Sequence, residues 1–252
     1  MKIPDFSLAM YAEICKALQS QNSLTVRQFI EKRPKPPCVV LRHDVDRRAK
    51  NALAMARLEN KYGISSTYYF RYPKTYDAAL MREIQGLGHE IGYHYEVLDK
   101  ARGDQRKAVE VFQNELEAFR RSFPVSTVCA HGNPLTKWDG RELWRSYPLR
   151  EFGIIGEAYL SLGEVSLYLT DTGRSWNGGN NLKDKLRASN QNKSFHSTAD
   201  IIEYLKNNRE SIVYLNCHPE RWPPGIFGYL GALLRDVIFG ICKKLIKLIK
   251  PG

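Results

Sequence analysis

No C-x-x-C pair occurs in the sequence. Its five cysteines, Cys15, Cys38, Cys129, Cys217 and Cys242, are odd in number and widely spread. That spacing supports neither a disulfide framework nor a zinc knuckle, and it favours a reducing compartment. Cys38, Cys129 and Cys217 lie inside apolar, strand-like runs, where a thiol serves as a small buried hydrophobe. There is no continuous apolar stretch near the start followed by small residues. Asp5 and Glu13 interrupt residues 1–19, which read as an amphipathic helix and not as a secretory signal. No long polar segment suggests disorder, no internal repeat is visible, and no nucleic-acid-binding motif accompanies the positive charge. Nucleic acid is therefore not an expected partner.

The chain has 252 residues, 43% hydrophobic and 26% charged, enough to bury a sizeable core. The net charge of +11 calls for an anionic partner, such as a phosphate-bearing ligand or an acidic membrane face. After Arg33-Pro34-Lys35-Pro36-Pro37 a regular alternation begins. Strands are predicted at Cys38–Asp44, Ser65–Tyr72, His89–Glu96, Val125–Ala130, Tyr159–Thr170 and Ser211–Cys217. Helices are predicted at Arg48–Tyr62, Ala78–Leu87, Gln105–Ser122, Trp138–Tyr147 and Thr198–Asn208. Gly178–Asn181 reads as a loop. Repeated βα units give an α/β fold with a parallel sheet or barrel. Residues 1–222 form one domain, including the N-terminal helical segment, and residues 223–252 form a basic amphipathic tail.

In such folds the chemistry gathers at the carboxyl ends of the strands. Four of the six histidines stand at such ends: His43, His94, His131 and His218. Side chains two apart on a strand share a face, so Asp44 and Asp46 look into one cleft, as do His94 and Glu96. His89 points the other way and is expected to be structural. Two neighbouring carboxylates repel and are costly to desolvate. A divalent cation between Asp46, His94 and His131 would relieve that cost and leave Asp44 free as a base.

The order Arg42-His43-Asp44-Val45-Asp46, then Gly88-His89-Glu90-Ile91-Gly92-Tyr93-His94, then Leu215-Asn216-Cys217-His218 resembles the polysaccharide deacetylase superfamily. This is the NodB-homology or carbohydrate esterase family 4 group. The resemblance spans roughly residues 37–222 and rests chiefly on the Gly-His-Glu-Ile-Gly-x-His run. It implies a distorted (β/α) barrel, here with an extra N-terminal helix and a C-terminal amphipathic helix. It implies one divalent metal ion, zinc first, and removal of an acyl group, acetyl first, from an amino sugar in cell-surface polysaccharide biosynthesis. By position, Asp44 becomes the catalytic base, Asp46 and His94 become ligands, and His218 becomes the general acid.

Two departures stand out. Leu98 occupies the place of the family's second metal-binding histidine. His131 is the expected replacement, with Glu96 the runner-up. The family's Arg-x-Pro motif is here Ala130-His131-Gly132-Asn133-Pro134, so Arg174 is the candidate to hold Asp44. Glu96, Asn133 and Trp176 are the candidate substrate-binding residues. Trp176 and Trp222 are sugar platforms on this reading, with core packing as the alternative for each.

From Pro223 the composition changes. Arg235 and Asp236 break the apolar run, so a membrane span is not expected. Lysines gather at Lys243, Lys244, Lys247 and Lys250, the pattern of an interfacial helix on anionic lipid. The alternative is a helix packed on the barrel. The expectation is thus a cytoplasmic protein, peripheral on the inner face of the membrane, acting on a lipid-linked or nucleotide-linked amino sugar. A non-catalytic glycan-binding or scaffold descendant, and a metal-independent C–N hydrolase, are the competing readings.

Overall fold

A computed structural model describes residues 3–133, 136–176 and 193–235. The loop expected at residues 178–181 and the lysine-rich end of the tail lie outside the described residues. The first half of the chain runs α1 (Leu8–Leu18), β1 (Ser23–Leu24), α2 (Val26–Lys32), β2 (Cys38–Val45), α3 (Ala49–Lys61), β3 (Thr67–Phe70) and α4 (Ala78–Gly86). It continues with β4 (Glu90–Tyr95), α5 (Val97–Lys100), α6 (Gln105–Arg120) and β5 (Thr127–Ala130). Then come β6 (Gly156–Glu157), β7 (Leu167–Thr170), α7 (Thr198–Asn207) and β8 (Ile212–Cys217).

Every strand pair is parallel, in the order β6-β5-β4-β3-β2-β8-β7, with β1 paired to the start of β2. The sheet curls into a half-barrel. Alternation along β2 sorts its residues to two sides. Cys38 and Val40 face the interior with Tyr69, Cys129 and Tyr214. Val39 and Leu41 face outward, against residues of α1, α3 and α7. A second outer cluster packs α4 and α6 on β3, β4 and β5, with Phe112, Leu116 and Phe119 of α6 buried along one stripe. The chain after β6 crosses the open side of the sheet. There the Tyr214 hydroxyl donates to the Ala158 carbonyl at 3.0 Å.

Gly92 shows why the specific motif needs glycine on β4. A Cβ there would stand 2.3 Å from the Tyr69 ring, which fills the barrel interior. Gly88, at φ +91°, turns the chain out of α4 and into that strand.

Two predicted elements differ. The strand expected over Tyr159–Thr170 is confined to Leu167–Thr170, because residues 159–166 turn through Gly163 and pack Leu162 and Val165 into the barrel. The helix expected over Trp138–Tyr147 is a short 3₁₀ segment, Gly140–Arg145.

Candidate active site

β2 carries Arg42 and Asp44 inward, and Asp46 follows directly after its last residue, Val45. Arg42 is fully buried inside the barrel. Its guanidinium lies 4.2 Å from the Tyr159 ring centroid and 5.1 Å from that of Tyr214. It pairs with Asp44 Oδ2 at 3.2 Å and donates to Cys129 Sγ at 3.2 Å. Asn216, on the neighbouring β8, donates to Asp44 Oδ2 at 3.0 Å. Asp44 is thus a buried carboxylate held from within the barrel by Arg42, Asn216 and, on Oδ1, the Cys129 thiol.

Asp46 is in a different position. Its Oδ1 lies 3.3 Å from His94 Nε2 and 3.5 Å from His131 Nε2, and this buried oxygen has no hydrogen bond. His94 donates through Nδ1 to the Cys129 carbonyl at 2.9 Å, which leaves Nε2 as the nitrogen facing Asp46. The His131 ring stands nearly perpendicular to that of His94, with centroids 5.3 Å apart. Its Nδ1 faces Glu96 Oε2 at 3.4 Å. Glu96 is ion-paired with Arg71, and although it stands behind His131, the His131 Nδ1 makes no hydrogen bond.

A buried carboxylate oxygen with no hydrogen bond of its own is uncommon. Tetrahedral zinc ligands sit about 3.3–3.5 Å apart when metal–ligand bonds are about 2.0–2.2 Å. The two Asp46–imidazole distances match that spacing, so the residues present fit a divalent ion. The charges respond accordingly. Burial alone would raise the Asp46 carboxyl, yet His131 and His94 hold it well below its ordinary value. His94 is raised, since Asp44 and Asp46 together outweigh the effect of burial. His131 is pushed down to about 4, chiefly by burial.

A second donor set overlaps the first. One ligand atom each from Asp44, His94 and Cys129 lie within 4.8 Å of one another, all buried. This group could also hold a metal ion. It sits deeper in the barrel, and its thiol already accepts from Arg42 while pointing at Asp44 Oδ1 from 3.6 Å.

Opposite the acceptors stands His218, at the end of β8. Its Nδ1 donates to Asp171 Oδ1 at 2.6 Å, and its backbone N–H donates to Asp171 Oδ2 at 2.9 Å. Asp171 follows β7 and also accepts from Arg221 at 2.9 Å and Trp222 at 2.6 Å. Burial and Arg221 both act to lower the His218 pKa, but Asp171 and Asp46 prevail and raise it to about 9. A cleft beside His131 is lined by Trp138, Asp139, Arg141 and Tyr159.

The expected residues sort as follows. Asp44, Asp46, His94, His131 and His218 come to one mouth, with Glu96 behind. Asn133 lies two residues beyond His131, its carbonyl accepting from Thr136 at 3.4 Å. The arginine on Asp44 is Arg42. The Arg174 guanidinium lies 5.9 Å from the Phe6 ring and 5.5 Å from that of Tyr229. Trp176 is no platform: it is buried, its ring stacks on Phe6, and its indole donates to Thr198 at 3.0 Å. Trp222 is fully buried as well. Leu98, on α5, is buried in the outer core. His43 points away from the mouth, to Glu59 Oε1 at 2.7 Å. His89 is a buried structural residue bonded to the Ala56 carbonyl at 3.0 Å.

Sequence reasoning missed Arg42, Asn216 and Asp171. The alternation rule that paired Asp44 with Asp46 also places Arg42 on that face, and it places Asn216 on the face of His218. Asp171 follows a strand, the same position that marked the histidines. No protein-family model matches this chain, and no curated protein matches it.

Proposed function

We propose that the protein is a metal-dependent hydrolase that removes an N-acyl group, acetyl first, from an amino sugar used in cell-surface polysaccharide synthesis. One observation carries this reading: Asp46 Oδ1 meets two imidazole nitrogens at 3.3 and 3.5 Å with no hydrogen bond of its own, beside a restrained Asp44. Asp46, His94 and His131 would hold the ion. A bound divalent ion would polarise the acyl carbonyl and make water a better nucleophile at neutral pH.

The chain's own residues then divide the proton work. Asp44 takes the proton from the attacking water, its carboxylate aimed by Arg42 and Asn216. His218, whose pKa Asp171 and Asp46 raise against burial and Arg221, gives its proton to the leaving amine. Two groups with such different environments suit opposite roles, one accepting and one donating.

The start of the tail supports a place at the membrane. Residues 225–235 are helical and expose Ile226, Phe227, Leu230, Leu233 and Leu234, with Phe227 88% accessible. The lysines that follow in sequence suit anionic lipid. Among the described residues, no helix is long and apolar enough to cross a membrane.

The test is acetate or formate release from a panel of N-acylated sugars, with and without a chelator. Release that stops on chelation and returns with metal supports the reading. Release indifferent to chelation, or none from any sugar, contradicts it.

A further inference from the structure

Inside the mouth, Asp44, His94 and Cys129 make a donor set that the proposed chemistry uses only in part. β4 and β5 pair with His94 opposite Cys129, which puts the imidazole and the thiol side by side, and Asp44 reaches them from β2. All three residues are buried, and one ligand atom from each lies within 4.8 Å of the others. The Asp44 oxygen that faces the thiol is Oδ1, 3.6 Å from Sγ. Arg42 and Asn216 engage the other oxygen, Oδ2. In a tetrahedral site, a carboxylate oxygen bonded at about 2.1 Å and a thiolate bonded at about 2.3 Å stand about 3.6 Å apart. Oδ1 and Sγ have that spacing. Arg42 Nη1, 3.2 Å from Sγ, favours the thiolate that a metal requires.

The imidazole decides how this inner set relates to the outer one. His94 Nδ1 is committed to the Cys129 carbonyl at 2.9 Å, so Nε2 is the nitrogen that a metal would meet. That nitrogen has one lone pair, and an ion shared with Asp46 and His131 needs it too. An ion in the outer set and an ion in the inner set therefore exclude each other. The two sets also differ in chemistry. The outer set offers one oxygen and two nitrogens, whereas the inner set offers oxygen, nitrogen and sulfur. Sulfur selects soft ions.

We propose that Asp44, His94 and Cys129 form an inhibitory site for a thiophilic cation such as cadmium. As the ion binds, the Cys129 S–H bond gives up its proton to solvent and a sulfur–metal bond replaces it. One proton leaves per ion, with no change of oxidation state. Bound there, the ion ties up the carboxylate of the base and withdraws His94 from the outer set. The inhibition rests on the deacetylase reading, and the binding does not.

The probe is cadmium chloride, titrated into the full-length protein and read by the ultraviolet thiolate-to-cadmium charge-transfer band. The band should saturate at about one ion per chain in wild type and disappear in Cys129→Ser and Cys129→Ala. His94→Gln should weaken cadmium binding at least tenfold. Asp46→Ala, which breaks only the outer set, should keep the band. Thermal melting of each variant controls for folding. No band in wild type, an equal band in Cys129→Ser, or loss of the band in Asp46→Ala overturns the site. In acyl-release assays cadmium should inhibit wild type as the band grows. Half-inhibition should need at least tenfold more cadmium in Cys129→Ser, each protein being compared with its own uninhibited rate. Equal sensitivity of the two overturns the inhibitory role. A saturable band without acyl release from any sugar would sink deacetylation and leave the site standing. Acyl release without the band would do the reverse.

Discussion

His218 and Asp171 form the pairing on which the proposed proton donor depends. Burial and Arg221 would hold an imidazole here below its ordinary value, and Asp171, with Asp46, raises it to about 9. A group raised in this way is charged below that pH and loses its proton above it. Turnover should therefore fall as pH rises through about 9. Asp171→Asn should move that alkaline limb down by at least one pH unit and cut kcat by roughly 10²-fold at neutral pH. An unchanged pH–rate profile would remove His218 as the acid. The same scale explains what the sequence could and could not reveal. Period-two alternation made Asp44 and Asp46 legible as one face, and it carries Arg42 onto that face as well. Arg174 was the candidate only because the family's Arg-x-Pro motif is missing here, and that absence says nothing about which ring a guanidinium covers. Trp176 was open between platform and core. Only its packing partners Phe6 and Trp222, distant in sequence, decide that question.

At the level of elements, β2 and α3 are joined by a buried carboxylate that the sequence pattern did not reveal. Glu59, on α3, is fully buried. It accepts from Tyr11, from Ser66 at 2.7 Å and from Tyr68 at 2.8 Å, and it faces His43 at 2.7 Å. Burial would raise its pKa, but His43, His89 and Tyr11 bring it down to about 2. An unfolded glutamate titrates near about 4.3. The stabilisation from this depressed pKa is present above that value and is lost as pH falls towards 2. It amounts to about 3 kcal/mol. Glu59→Gln should lower stability by about 2–4 kcal/mol at pH 7 and flatten the loss of stability between pH 5 and 2, read by urea unfolding at each pH. A variant as stable as wild type, with the same acid limb, would contradict this role. Most element positions were readable, because alternating βα units carry clear apolar periods and glycine stops. The strand expected over Tyr159–Thr170 was misjudged because its apolar residues fill the barrel from a turn, and an apolar run looks the same in either setting.

At the scale of the whole molecule, a polar mouth and an apolar helix sit on one strongly basic chain. The exposed side chains on residues 225–235 and the net charge of +11 suit an anionic bilayer. Full-length protein should float with anionic vesicles and not with zwitterionic ones, and salt should weaken the association. Phe227→Glu combined with Leu230→Glu should abolish flotation and leave acyl release from a soluble sugar intact. Flotation unchanged in that variant would place the helix elsewhere. The central claim is that Asp46, His94 and His131 share one cation at the barrel mouth. Elemental analysis of purified protein tests it most directly. About one divalent ion per chain is expected in wild type and in Cys129→Ser, and it should be lost in Asp46→Ala and His131→Ala. No stoichiometric ion in wild type, or an ion that survives Asp46→Ala but not Cys129→Ser, would contradict it.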